Sequence, residues 1–323
     1  MTELQPGDVL DGRFEIFELI GRGGMGSVFK ASDLTTGRPV AVKIPFFELE
    51  SDPVFYSRFQ RELEIGKRLD HPGILKIFAV ERPSRPYLVM EYLEGETLWD
   101  RLQRLRQLPT GEALRIATLI CESLEYMHRN LVVHRDLKPA NVMLCHDGSL
   151  RIMDFGIAMM GAMRRLTFGG VTGSLGTPHY MAPEQIKGRR GDVRMDVYSL
   201  GAILYEMTTG HTPYDDQRDL YSVMNARHVG DPVAPRVYNS VIAPEVEEII
   251  LHALARDPDD RYETAAAMKA DLLAPERVRV TGRADRLKAP SLGAQHWRIA
   301  RFVIIALLIP VLLFFVFWMF FNR

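Results

Sequence analysis

The sequence predicts an α+β protein with two unequal parts, a sheet-rich first lobe and a helical second lobe, followed by one apolar helix. Three observations predict it. Residues 14–92 hold short apolar, strand-like runs separated by Gly and turn residues. From residue 110 onward, apolar positions recur every three or four residues. Residues 302–321 read FVIIALLIPVLLFFVFWMFF, with no charge, Gly, Ser or Thr.

The elements follow in order. Residues 14–20 read as a strand, the GRGGMG stretch interrupts it, and residues 27–32 resume it. Thr36-Gly37 marks a turn into a third strand at 38–45. Residues 53–69 are helical by composition, and 74–80 and 87–92 are strand candidates. Thr110 is placed to cap a helix whose Leu114, Ala117, Cys121, Leu124 and His128 share one face. VMLC and LRIM flank HDGS as a short hairpin. Further helices are expected over 195–209, 217–228, 243–256 and 264–273. The first lobe then covers about 10–92 and the second about 93–273, with a cleft between them.

Composition narrows the class. The 323 residues are 47% hydrophobic and 25% charged, which excludes a disordered or collagen-like chain. Cys121 and Cys145, the 2 cysteines, are too few for a disulfide framework and suit a reducing compartment. A net charge of −1 gives no footprint for nucleic acid, so no nucleic-acid partner is expected. That average hides a split of −7 over residues 1–273 and +6 over 274–323.

The apolar run is long enough to cross a bilayer, since roughly 20 helical residues span about 30 Å. Pro310 is tolerable there if neighbouring groups satisfy the freed carbonyl. Residues 274–301 read as a basic juxtamembrane linker carrying Arg277, Arg279, Arg283, Arg286, Lys288, Arg298 and Arg301 against Glu276 and Asp285. Basic flanks stay on the cytoplasmic side, so the body is expected in the cytoplasm. Trp297 and Trp318 sit near the two ends of the span, and the linker's charge suits anionic lipid. The first residues have no apolar core of a secretory signal. Only Asn322 and Arg323 follow the span, so no external sensor is expected and input would come through the membrane helix, lipids or cytoplasmic partners.

The chemistry sits in the body. Gly21, Gly23 and Gly26, with Gly24 among them, form G-x-G-x-x-G, and missing Cβ atoms let backbone approach phosphate oxygens. The motif lies between two strands, not between strand and helix, which argues against a dinucleotide fold. Lys43 stands mid-strand, with Glu62 on the next helix as its candidate partner. In HRDLKPAN, Asp136 and Asn141 lie five residues apart on a tight loop, which aims a proton acceptor and a metal ligand at one site. Asp154 in DFG is a hard oxygen donor suited to Mg²⁺.

GRGGMGSVFKA, VAVK, HRDLKPAN, DFG, GTPHYMAPE and DVYSLG stand in order over about 260 residues. In these motifs the chain resembles the eukaryotic-like (Hanks-type) serine/threonine protein kinases. GRGGMG and MAPEQ most resemble bacterial members, many of which carry a membrane helix. The resemblance implies a bilobal protein-kinase-like fold with ATP and Mg²⁺, or Mn²⁺, as cofactors. It implies transfer of the γ-phosphate to Ser/Thr hydroxyls of protein substrates, at a bacterial plasma membrane. Gly21, Gly23, Gly24 and Gly26 would cover the phosphates. Val28, Ala41 and Met143 would sandwich adenine, with Met90 as gatekeeper and backbone groups of Glu91 and Leu93 as the hinge. Lys43, held by Glu62, would meet the α/β-phosphates, and Lys138 the γ-phosphate. Asp136 would be the catalytic base, and Asn141 and Asp154 the metal ligands. Glu184 would pair with Arg261, and Asp196 would anchor the catalytic loop.

Such a transfer is mostly positioning and electrostatics. ATP brings about four negative charges, and Lys43, Lys138 and two metal ions would offset them. Thr172, then Thr167 and Ser174, are the candidate activation-loop phosphosites, with Arg135 as phosphate receiver. Thr177 is expected against Asp136. Gly66, one turn after Glu62, departs from the bulky apolar residue usual in the family. It is expected to leave a gap beside Ile77, His134 and Phe155, so that helix placement would need a partner or a homodimer. The main rival reading is a pseudokinase-type membrane-anchored scaffold. Such a chain lacks the strand Lys, the base or the metal Asp, and all three stand here. A small-molecule phosphotransferase would lack the MAPE segment.

Overall fold

The structure, a computed structural model, describes residues 4–23, 26–46, 52–81, 83–154, 178–188, 191–214 and 230–287. The expected strands, joined by a short first strand not expected from the sequence, pair into one antiparallel sheet in the order β1-β2-β3-β4-β6-β5. They are β1 Val9–Leu10, β2 Phe14–Arg22, β3 Gly26–Asp33, β4 Arg38–Pro45, β5 Ile77–Phe78 and β6 Leu88–Glu91. Period-2 alternation sorts their side chains. Phe14, Ile16, Phe29, Ala31, Val40, Val42 and Ile44 bury one face together with Tyr87 and Val89. Ala41, Leu88 and Met90 turn the other way, into the main core. Gly26 has to be glycine: a Cβ there would stand 2.2 Å from the Ile44 carbonyl oxygen.

The strand expected over 74–80 contracts to two residues. Its first part is claimed by the second lobe instead. Leu75 N–H donates to the Ile152 carbonyl at 2.9 Å, and Ile152 N–H to the Gly73 carbonyl at 2.8 Å. These bonds lock the loop before β5 to the second lobe.

Helix α1, Pro53–Arg68, lies before β5. On the Ile77 side, the gap expected at Gly66 is filled; Phe155 lies outside the described residues. Ile77 leans into that space, and a Cβ on Gly66 would stand 2.2 Å from its Cδ1 and 2.8 Å from its Cγ1. The branched side chain from the strand does the filling that the helix residue omits.

The second lobe begins with β7, Gly95–Thr97, and α2, Leu98–Leu105, whose N-cap Thr97 accepts from Asp100 N–H at 3.1 Å. Helix α3 runs Thr110–Arg129. Thr110 does not cap it. The cap is Pro109, whose carbonyl accepts Ala113 N–H at 3.0 Å. The predicted face holds: Ala117, Cys121 and Leu124 are fully buried. Burial pushes the Cys121 thiol well above its ordinary range. A turn at Pro139–Asn141 leads into β8, Val142–Cys145, and β9, Leu150–Ile152, which form a sheet β7-β8-β9.

Helix α4, Pro183–Ile186, and α5, Arg194–Thr209, follow, with α5 buried along nearly its whole length. Then come α6, Pro235–Tyr238, α7, Pro244–Ala253, and α8, Ala265–Leu273, capped by Thr264 accepting from Ala267 N–H. Residues 217–228 lie outside the described residues. Of the segment after 273, Pro275–Arg277 forms a turn and Arg283–Arg286 forms α9. Val278 packs against the main core. Among the described residues no helix is long and apolar enough to cross a membrane; residues 302–321 lie outside them.

Candidate active site

β4 sets up the first half of the site. Register places Lys43 opposite Val28 on β3 and Leu88 on β6. Its neighbours Val42 and Ile44 face the outer cluster, so Lys43 emerges on the side of Ala41 and Met90. Val28, Ala41, Met90 and Leu93 all pack into the main core on that side. Met143 stands half-buried on β8, opposite Thr97 and Arg151. Gly21 pairs with Val28 one residue before β2 ends at Arg22, and Gly23 N–H donates to the Gly26 carbonyl at 2.9 Å. Gly24 lies outside the described residues.

Lys43 Nζ reaches Asp154 Oδ1 at 2.5 Å and Glu62 Oε1 at 3.5 Å. One ammonium therefore joins strand, helix and the carboxylate after β9. Burial alone would lower the Lys43 pKa, but the two carboxylates outweigh it and hold the ammonium above its usual range. Lys43 holds Asp154 below the carboxylate range against the burial that opposes it, with Lys138 and His134 helping. Burial pushes Glu62 up, Lys43 pulls against it, and Asp154 adds to the rise.

The second half hangs from α5. Asp196 is fully buried, and its Oδ2 and Oδ1 accept the backbone N–H groups of His134 and Arg135, each at 2.9 Å. His128 Nε2 meets the same carboxylate at 2.8 Å. These contacts hold a strained loop, for Arg135 sits at φ +66°. Buried His134 contacts the Met153 carbonyl through Nε2 at 3.1 Å. The loop presents Asp136, whose Oδ2 accepts from Lys138 Nζ at 2.7 Å and from Asn141 Nδ2 at 3.3 Å. Asn141 Nδ2 also donates to the Asp136 carbonyl at 2.8 Å.

Asn141 turns its amide nitrogen to Asp136, which leaves its carbonyl oxygen as the donor to a cation. Asp154 uses Oδ1 on Lys43 and keeps an ionised carboxylate. Among the described residues no three His, Cys, Asp or Glu side chains gather to hold a metal alone. A hard divalent cation that shares its shell with phosphate oxygens fits this set of one amide and one carboxylate.

The match to known proteins agrees with this geometry. The protein kinase domain matches residues 14–273. The chain belongs to the protein kinase family. A probable serine/threonine-protein kinase of Streptomyces coelicolor is 41% identical over 81% of this chain and 40% of its own length. Serine/threonine-protein kinase PknB of Mycolicibacterium smegmatis is 38% identical over 86% of the chain and 46% of its own length. PrkC of Bacillus subtilis is 39% identical over 82% and 41%. The chain thus spans less than half the length of these relatives. The crystal structure of the Mycobacterium tuberculosis PknI kinase domain superposes with a TM-score of 0.67 at 26% identity, covering 84% of this chain and 100% of that one.

Within this kinase domain three contacts escape the motif reading. The Glu91 side chain takes part as well as its backbone: Oε1 accepts Lys76 N–H at 2.9 Å and Arg151 Nε–H at 3.3 Å. Lys30 stacks its ammonium 4.6 Å from the ring centroid of Tyr92, next to the hinge. None of these pairs is adjacent in sequence: the β5–β6 register brings Lys76 to Glu91, while Arg151 comes from the other sheet. Tyr180 and Met181 line a shallow hollow with Asp136 and Lys138. Phe155, Thr167, Thr172, Ser174 and Thr177 lie outside the described residues.

Proposed function

We propose that the chain transfers the γ-phosphoryl group of ATP to Ser and Thr hydroxyls of protein substrates while tethered to a membrane by residues 302–321. The observation that carries the reading is the joined set of Lys43, Glu62 and Asp154 across from Asp136 and Lys138. A pseudokinase-type scaffold would have no need of all five.

Lys43 stays protonated at any physiological pH and puts a fixed positive charge where α- and β-phosphates would lie. Backbone of Gly21, Gly23, Gly24 and Gly26 covers the phosphates. Val28, Ala41, Met90 and Met143 enclose adenine, and Glu91 and Leu93 read its edge through backbone groups. Asp136 receives the hydroxyl proton as the nucleophile attacks, and Lys138 shifts from Asp136 toward the γ-phosphoryl oxygens. Asn141 and Asp154 would hold Mg²⁺ or Mn²⁺, which supplies charge neutralisation and alignment of the phosphates when bound. The hollow beside Tyr180 and Met181 suits the substrate chain next to its acceptor hydroxyl.

Hydropathy supports the anchor, and the basic flank supports a cytoplasmic body drawn to anionic lipid by Arg277, Arg279 and Arg286. Activation-loop control rests on Thr172, Thr167 and Ser174. With Ile77 filling the space at Gly66, helix placement gives no reason for a homodimer.

The test is transfer of labelled phosphate from ATP to a generic protein substrate. Asp136→Asn and Lys43→Met should each lower the rate by about 10²–10⁴. Transfer at the wild-type rate by both variants would overturn the assignment. For the anchor, the full chain should sediment with membranes, and a chain ending at Arg301 should need low salt and anionic lipid to do so. Release of the full chain by salt alone would sink the span.

A further inference from the structure

We propose that Thr281 is a phosphoryl-acceptor site whose modification unlatches residues 275–287 from the second lobe. The proposal rests on the kinase reading above.

The segment is docked. Its latch is Glu248 on α7, a carboxylate only 5% exposed. Glu248 Oε1 accepts the Thr281 hydroxyl at 2.5 Å and pairs with Arg283 Nε at 3.2 Å. Oε2 accepts Arg283 N–H at 3.3 Å. Among the described residues, every hydrogen bond and ion pair of this carboxylate comes from Thr281 and Arg283. A buried charge whose partners all come from one segment ties its own burial to the docking of that segment. Burial would raise Glu248, yet these partners keep it below the ordinary range.

Thr281 is the one hydroxyl side chain in residues 275–287, and it is exposed. Gly282 follows in the left-handed region at φ +74°, which turns the chain there. Arg286 donates to Thr281 Oγ1 at 3.1 Å. In the transfer, the bond from the γ-phosphorus to the β–γ bridging oxygen breaks and an Oγ1–phosphorus bond forms. The hydroxyl proton passes to Asp136, and ADP leaves.

The product has lost the hydroxyl donor that Glu248 used. In its place stand about two negative charges beside a buried carboxylate. Arg283 and Arg286 gain a stronger acceptor than the one they leave. Both changes favour release. Released, residues 275–287 add 13 residues, at about 3.3 Å per extended residue, to the chain that can separate the second lobe from the apolar run.

The experiment uses the full chain in detergent with Mg²⁺-ATP and a generic protein substrate as activity control. Phosphosites are mapped by mass spectrometry, and amide exchange is followed over residues 276–287. The expected result is phosphate on Thr281, with exchange about tenfold or more faster in the phosphorylated fraction. Thr281→Glu should show fast exchange without ATP. Thr281→Val should keep slower exchange than Thr281→Glu and should not change with ATP. Phosphate on the control substrate but none on Thr281 overturns the site. Phosphate on Thr281 with unchanged exchange overturns the unlatching. No transfer to any acceptor overturns the kinase reading and this proposal together, and the control substrate tells that case apart.

Discussion

Arg261 grips Glu184 through two parallel hydrogen bonds, of 2.7 and 2.8 Å, with none of its side chain exposed. Its remaining donors reach the carbonyls of Ala255, Arg194 and Arg256, and its guanidinium lies 4.8 Å from the Tyr198 ring centroid. All five donors are used, which a single ammonium cannot reproduce. Arg261→Lys should therefore cost about 3–5 kcal/mol, because Glu184 keeps a buried charge without its fork. Paired apolar replacement, Arg261→Met with Glu184→Leu, should cost less than the sum of the two single changes. Urea unfolding of the wild type and these four variants measures both. Additive losses would show that the pair does not act as a unit.

The Gly66–Ile77 contact gives a second prediction. A methyl group on Gly66 would meet Ile77 Cδ1 at 2.2 Å and Cγ1 at 2.8 Å, so rotation of one terminal methyl cannot relieve it. Overpacking costs about 1–3 kcal/mol, while replacing a helical Gly with Ala returns at most about 1 kcal/mol. Gly66→Ala should destabilise by up to about 2 kcal/mol. Gly66→Leu should do more, and should lower phosphate transfer by shifting α1 and its Glu62 away from Lys43. Thermal unfolding and the transfer rate check this. A more stable, fully active Gly66→Leu would show that the space is not filled.

Sequence order revealed the parts with a local signature. Strand alternation over 14–45, the α3 face around Cys121, and the loop carrying Asp136 all follow from patterns within a few residues. Long-range pairs were legible only through the family motifs, as for Glu184 with Arg261, which are 77 residues apart; the Lys43–Asp154 contact was not foreseen. Volume was not legible at all. At Gly66 the sequence shows a missing side chain, and only packing reveals that Ile77 takes its place. Residues 74–75 failed for a related reason: their apolar run suits a strand, but the pairing partner is Ile152 in the other lobe.

Acid should weaken the first lobe through Asp33. Arg13 Nε and Nη2 donate to its two oxygens at 2.8 Å each, and Thr35 N–H and Thr36 hydroxyl add to them. The Arg13 fork holds the carboxyl well below its usual range, although burial opposes it. A lowered folded pKa means the unfolded chain binds the proton first. The contribution is complete above about pH 5 and is lost as pH falls below about 4, toward the folded pKa. Arg13 is 40% exposed, so solvent screening limits the effect to about 1–2 kcal/mol. The stability difference between the wild type and Asp33→Asn should grow from pH 3 to 5 and then level off. A difference independent of pH would refute the assignment.

The Glu91 carboxylate predicts a change in nucleotide affinity without a matching change in chemistry. Its Oε1 takes Lys76 N–H beside β5 and Arg151 Nε–H on β9, so it spans the hinge from one lobe to the other. Arg151 is oriented in turn by the Ser149 hydroxyl and the Leu150 carbonyl, both 3.1 Å from Nη1. Replacing Arg151 with Met keeps the bulk and removes the charge-assisted bond, worth about 1–2 kcal/mol. Glu91 backbone groups would then be less well placed for adenine, while Asp136, Lys138 and Asp154 are untouched. Arg151→Met should raise KM for ATP about 5–30-fold with kcat nearly unchanged, the pattern expected when binding is lost equally from ground and transition states. Steady-state kinetics at varied ATP separates the two parameters. A fall in kcat at constant KM would move Arg151 from the hinge to the transfer step, a role that its 18% exposed position against Glu91 gives no means to perform.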